Sequence, residues 1–141
     1  MRKNVYEILD EFAAAPTKVE KLNVLAKYWT PTLRRVLELT YHPDIKWKVT
    51  DFPPNYKVEN IPVGMGVSSL DTELRRLYLF QEGNATAEHL TERKRIELLT
   101  SLLEALEPRE AKVLIGIFKK DLGIKGLNYK FVRDNIPGVV P

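Results

Sequence analysis

The chain has 141 residues, 44% of them hydrophobic and 29% charged, the balance of a folded protein and not of a disordered one. It contains no cysteine, which excludes a disulfide scaffold, a thiolate metal site and cysteine catalysis. The formal net charge is +3, and it is unevenly placed: residues 109–141 hold seven Lys or Arg against three Asp or Glu, whereas residues 1–108 hold fifteen against sixteen. Such asymmetry points toward a polyanionic partner.

The length predicts a single domain, residues 1–141, large enough to bury about two-thirds of its unfolded surface. No apolar run approaches the ~18 residues of a transmembrane helix. Glu7, Asp10 and Glu11 interrupt what would be the apolar region of a signal peptide. The expectation is a soluble cytoplasmic protein with no membrane partner.

The pattern is helical nearly throughout. Asn4 is a candidate N-cap, followed by Val5, Ile8, Leu9 and Phe12 at helical spacing. Pro16 ends that helix and suits the first turn of the next, where Val19, Leu22, Leu25 and Ala26 make an apolar stripe. Thr30-Pro31 repeats the cap-then-proline signal, with Leu33, Val36, Leu37 and Thr40 inward. Pro43, Pro53, Pro54 and Pro62 preclude a long helix from 42 to 67. Ile45, Trp47 and Val49 alternate with lysines there, as in a short extended stretch. Trp47, Phe52 and Tyr56 are expected to pin this loop to the helices.

Helical spacing resumes at Ser68-Ser69, with Leu70, Leu74, Leu77 and Tyr78 as its stripe and Gly83-Asn84 as its stop. A turn over 86–90 leads to a long helix from Thr91 bearing Ile96, Leu99, Leu102, Leu103 and Leu106. Glu107-Pro108 restarts a helix with Val113, Leu114, Ile117 and Phe118, with Lys119 and Lys120 in its last turn and Gly123 as terminator. A final helix runs from about Leu127 to Asn135. The fold class expected is all-α: one bundle of about seven helices with one long irregular loop at about 42–67.

Little catalytic chemistry is available. His42 and His89 are far apart and lack metal-ligand spacing. No nucleophile elbow, zinc-protease motif or phosphate-cradling loop occurs. Lys119-Lys120-Asp121-Leu122 approaches the K-x-D-G sequence of nucleotidyltransferases, but Leu122 stands where the glycine is required. No cofactor and no metal are expected.

The best candidate site is the C-terminal turn. Lys119, Lys120, Lys125, Lys130 and Arg133 carry five positive charges around Gly123 and Gly126, before a helix start at Leu127-Asn128. Glycines admit close backbone approach, a helix N-terminus offers N–H groups, and flanking cations attract a nucleic-acid backbone without reading bases. Lys120, Lys125 and Lys130 are expected to be exposed. The plain alternative is a helical corner with ordinary solvent-facing lysines.

These residues also carry a family likeness. Tyr6-Glu7-Ile8-Leu9-Asp10-Glu11, Leu33 to Tyr41, Gly83-Asn84-Ala85 with Glu88-His89-Leu90-Thr91, and Lys120 to Pro141 follow in an order and spacing that resemble the N-terminal DNA-binding domain of ATP-dependent DNA ligases. The phage-type ligases of the T-even viruses are the nearest form. The likeness spans nearly the whole chain. It implies an all-helical, non-catalytic domain gripping duplex backbone around a nick, with Lys119, Lys120, Lys125, Gly126, Asn128 and Lys130 near DNA. A ligase continues into a nucleotidyltransferase domain and an OB-fold domain, and this sequence stops where they would begin, so no enzyme activity is expected. The chain is also similar to small proteins of tailed phages, which would place it in the host cytoplasm as an accessory protein.

Three roles follow. The first is a non-enzymatic protein binding double-stranded DNA, intact or nicked, with little sequence preference and a modest, salt-sensitive affinity. The second is a protein-interaction module that keeps the fold and binds a phage replication or host protein, through a surface such as the loop with Trp47, Phe52 and Tyr56. The third is an accessory subunit of a ligase whose catalytic part lies on another chain.

Overall fold

The computed structural model describes residues 3–49 and 68–141. Among them are eight α-helices: α1 (Val5–Ala14), α2 (Lys18–Lys27), α3 (Pro31–Tyr41), α4 (Leu70–Leu74), α5 (Ala85–His89), α6 (Glu92–Ala105), α7 (Pro108–Lys119) and α8 (Tyr129–Asn135). A 3-10 turn covers Leu77–Phe80. The described residues contain no strand, only one isolated antiparallel bridge between Trp47 and Gln81. The fold is all-α. No described helix is long and apolar enough to cross a membrane.

The chain divides into two units, Met1–Pro43 with Ile115–Pro141, and Asp44–Leu114. Helix α7 contributes its residues through Leu114 to the second and from Ile115 to the first.

In the first unit, α1 begins as its cap predicts, with the Asn4 amide donating to the Glu7 carboxylate at 3.2 Å. Its inward residues Ile8, Leu9 and Phe12 are all at most 2% exposed. Phe12 meets Phe131 edge-on at 5.4 Å between ring centroids, a geometry that adds about 0.5–1.5 kcal/mol beyond burial. Helix α2 packs on α1 but is rotated from the expected stripe. Its N-cap is Thr17, so Pro16 lies outside the helix. Leu25 is buried as expected, and Lys21, four residues before it, takes the inward place on the preceding turn. The Lys21 ammonium donates to the Phe12 carbonyl at 2.8 Å and sits 4.9 Å from the Phe12 ring. Val19 is two residues, about 200°, from Lys21 around the helix, and is 66% exposed; Ala26 is exposed as well. In α3, Leu33, Val36, Leu37 and Thr40 are buried as the spacing requires, and α8 packs against α3.

In the second unit, the extended stretch predicted around Trp47 is present. The Lys48 amide donates to the Phe80 carbonyl at 2.7 Å, and the Glu82 amide to the Lys46 carbonyl at 2.8 Å. Trp47 is buried, as the pinning role requires; Phe52, Tyr56 and most of the expected 42–67 loop lie outside the described residues. The helix expected from Ser69 to Gly83 breaks after one turn. Beyond Arg75 the chain tightens into the 3-10 turn, whose three-residue repeat puts Leu77 and Phe80 on one buried face and leaves Tyr78 exposed. Asn84 then caps α5 and Thr91 caps α6 through their side-chain oxygens. Ile96, expected inward, is 47% exposed.

Candidate nucleic-acid interface

Every residue of the sequence-selected site belongs to the first unit, and the local backbone divides them into two kinds. Helix α7 ends at Lys119, and Lys120 takes a left-handed conformation with φ of 60°. The Lys120 amide donates to Ile117 O at 3.1 Å and the Asp121 amide to Gly116 O at 3.0 Å. That bond pair is a Schellman termination, with a lysine in the position glycine usually holds. Gly123, the expected terminator, comes three residues later; its φ of 71° shapes the following turn, where its amide donates to the Asp121 carboxylate at 2.8 Å.

Lys120 bears the strain of that position because its side chain is used. Its ammonium donates to His42 O at 2.7 Å and Leu39 O at 3.2 Å, the last carbonyls of α3. Burial pushes its pKa down to about 8. Lys120 is therefore half-buried and tied inward, contrary to the expected exposure. A cation suits a helix C-terminus, where unpaired carbonyls gather negative charge. Beside it, the Tyr41 hydroxyl donates to Leu127 O at 3.3 Å and accepts from the Leu122 amide at 3.4 Å. Burial, opposed by the Leu122 bond, lifts the Tyr41 pKa to about 12. Lys120 and Tyr41 together fix the segment between α7 and α8 to the end of α3.

The other cations point outward. Lys119, Lys125, Lys130 and Arg133 are exposed. Lys125 and Lys130 make no hydrogen bond or ion pair among the described residues. Arg133 pairs with Asp134 at 2.9 Å and lies 5.7 Å from the Tyr129 ring centroid. The Asp134 carboxyl is held below its ordinary range by Arg133, with the charges of Lys130 and Lys18 adding to the effect. Lys18, in the first turn of α2, thus shares the field of this surface. Sequence reading missed it because α2 is a hundred residues away in the chain.

Two selected residues have intramolecular explanations. Gly126 has φ of 84°, and a Cβ there would meet Lys21 Cε at 3.3 Å, so its lack of a side chain accommodates Lys21. Asn128 is the N-cap of α8, its carboxamide oxygen accepting from the Phe131 amide at 2.9 Å. The helix starts at Tyr129, two residues later than predicted, and its first turn is capped from within. Leu127, the predicted start, is buried.

His42 is the C-cap of α3 and His89 ends α5. No group of three or more His, Asp or Glu able to hold a metal occurs among the described residues.

Comparison with known families places the chain. It belongs to a family of unknown function, DUF6433, whose model matches residues 8–124. The match includes Lys119 and Lys120 and ends before Lys125. No curated protein matches the chain.

Proposed function

We propose that the chain is a non-catalytic DNA-binding protein that holds duplex backbone phosphates with little sequence preference, in the manner of the ligase-type DNA-binding domain its sequence resembles. A phage accessory role in the host cytoplasm accords with this reading. The observation that carries it is the outward set of Lys119, Lys125, Lys130 and Arg133 on one short segment, with Lys18 sharing its field. Exposed cations of this kind displace the counterions condensed on a polyanion, which is the sequence-independent part of DNA affinity. The segment that bears them is anchored by Lys120 and Tyr41, so little ordering is required on binding. Lys120 serves the surface indirectly, as an anchor.

The test is fluorescence anisotropy with intact and nicked duplex at low and moderate salt. Binding that falls with salt is expected, and a preference for the nick would favour a ligase-like role. The variant with Lys119, Lys125, Lys130 and Arg133 all changed to Glu should lose binding while its circular dichroism is unchanged. Equal binding by that variant would remove this surface from consideration. No binding even at low salt would turn the assignment to a module that recognises a phage replication or host protein.

A further inference from the structure

The second unit contains a cleft of about 530 Å³, within the ~300–1,000 Å³ range of small-ligand sites. Its walls are fixed. Trp47 bridges to Gln81, and the adjoining Lys46–Lys48 backbone is bonded to Phe80 and Glu82. Elsewhere in the lining, the Arg95 guanidinium donates to Ala87 O and Leu90 O, both at 3.2 Å, closing the end of α5. The apolar lining includes Trp47 and Ile96, the latter half-exposed on a helix whose other large apolar residues are covered.

The charges lining the cleft are unequally committed. Its cations are Lys48 and Arg95. Lys48 is paired with Glu88 at 2.7 Å, and Arg95 is held by the two carbonyls without being neutralised. Glu88 is satisfied from two sides, by Lys48 and by the Gly83 amide at 3.0 Å. Glu82 and Glu92 line the same cleft and make no side-chain hydrogen bond or ion pair among the described residues. The lining as a whole carries three carboxylates, Glu82, Glu88 and Glu92, against the two cations Lys48 and Arg95, so an anion entering would meet a net negative field. A neutral apolar ligand would leave those carboxylates unused. A cation on an apolar body meets both features.

We propose that this cleft binds a small organic cation, an amine, amidinium or guanidinium group on an apolar body, with its charge met by Glu82 and Glu92 and its body against Ile96 and Trp47. The site lies in Asp44–Leu114 and does not depend on DNA binding by the other unit.

The probe is benzamidine, with benzamide as the neutral isostere and benzoate as the anionic one. Tryptophan emission is read in a Trp29→Phe background, leaving Trp47 as the only indole. Amide chemical shifts of the unmodified protein give a second reading should that variant fold poorly. Benzamidine should produce a saturable change, benzamide should bind about tenfold more weakly, and benzoate should give none. The double variant Glu82→Gln/Glu92→Gln should weaken benzamidine about tenfold and leave the melting temperature unchanged, since both carboxylates are exposed and make no side-chain bond among the described residues. Absence of saturation, equal affinity for benzamidine and benzamide, tighter binding of benzoate, or an unaffected double variant would each overturn the proposal.

Discussion

Replacing Lys120 with methionine tests whether this lysine is structural. The substitution keeps an unbranched side chain of similar length and removes the donors to His42 O and Leu39 O. Hydrogen bonds from charged groups contribute roughly 1.5–3 kcal/mol each. The 3.2 Å bond belongs at the low end, and the burial that depresses the pKa costs the ammonium much of what the bonds supply, so the expected net loss is about 1 kcal/mol. Lys120→Gly loses the same bonds but relieves the left-handed strain, worth about 1 kcal/mol, and should be close to the parent. At about 3 °C per kcal/mol for a chain of this size, the melting temperature of the methionine variant should fall by about 3 °C and that of the glycine variant hardly at all. Thermal and urea unfolding at neutral pH measure both. The pH dependence gives a separate sign. The folded pKa of about 8 lies below the ordinary 10.5, so between these values the unfolded chain holds a proton the folded chain has released. Stability from this group therefore rises with pH across that window, and the rise should vanish in Lys120→Met. A methionine variant as stable as the parent, or a glycine variant less stable than the methionine one, would refute the anchoring role.

Tyr41→Phe should show the opposite slope: the folded pKa of about 12 exceeds the ordinary 10.0, so stability falls between those values in the parent and not in the variant, as alkaline unfolding would report. Gly116→Ala should destabilise by about 1–3 kcal/mol in chemical unfolding despite alanine's better helix propensity, because its Cβ would stand 3.0 Å from the Leu122 backbone Cα. Glu110 is buried, accepts from the Leu70 amide at 2.6 Å, and has its pKa raised by burial against the pull of that bond, with Glu107 adding to the rise. Its folded pKa above the unfolded value means that stability drops as pH rises from about 4.5 through the folded pKa. Glu110→Gln, which still offers the Leu70 amide an acceptor, should flatten that drop in urea unfolding measured from pH 4 to 7.

The helices with strong punctuation were legible in the sequence. Thr30-Pro31 ahead of α3 and Thr91 ahead of α6 are cap signals set by local geometry, and they read correctly because nothing distant competes with them. Failures came where a long-range contact outweighed the local pattern. Val19 follows the apolar spacing of α2, yet the alkyl stem and ammonium of Lys21 claim the face toward Phe12. Tyr78 follows a helical spacing that the chain leaves for a 3-10 repeat, which buries Leu77 and Phe80 together. In the candidate site, composition located the cations but did not sort them. Lys120 and Lys125 look alike in sequence, while one bonds the end of α3 and the other is exposed. The difference arises from carbonyls about eighty residues away, which no local pattern encodes. The left-handed lysine was hidden for the same reason: with Gly123 nearby, sequence logic gives the turn to the glycine.

That sorting sets a quantitative expectation for DNA binding. The seven Lys or Arg from Arg109 onward would, if each neutralised a phosphate, give log K against log salt a slope near −6, at about −0.9 per phosphate on duplex DNA. The structure removes several of them from that role. Lys120 is bonded to carbonyls, Arg109 is paired with Glu107, and Lys112 is not one of the residues of the proposed surface. Lys119, Lys125 and Lys130 remain exposed, together with Arg133, which is paired with Asp134. Three or four phosphate contacts predict a slope between about −2.7 and −3.6. Titration across a fourfold salt range resolves that interval from the composition-based value. A slope near −6 would mean that cations bonded within the fold, Lys120 foremost, leave their carbonyls on binding, and the anchor would have to be reassigned as a contact. A slope near −1 would mean that this segment does not meet the backbone, whatever the affinity.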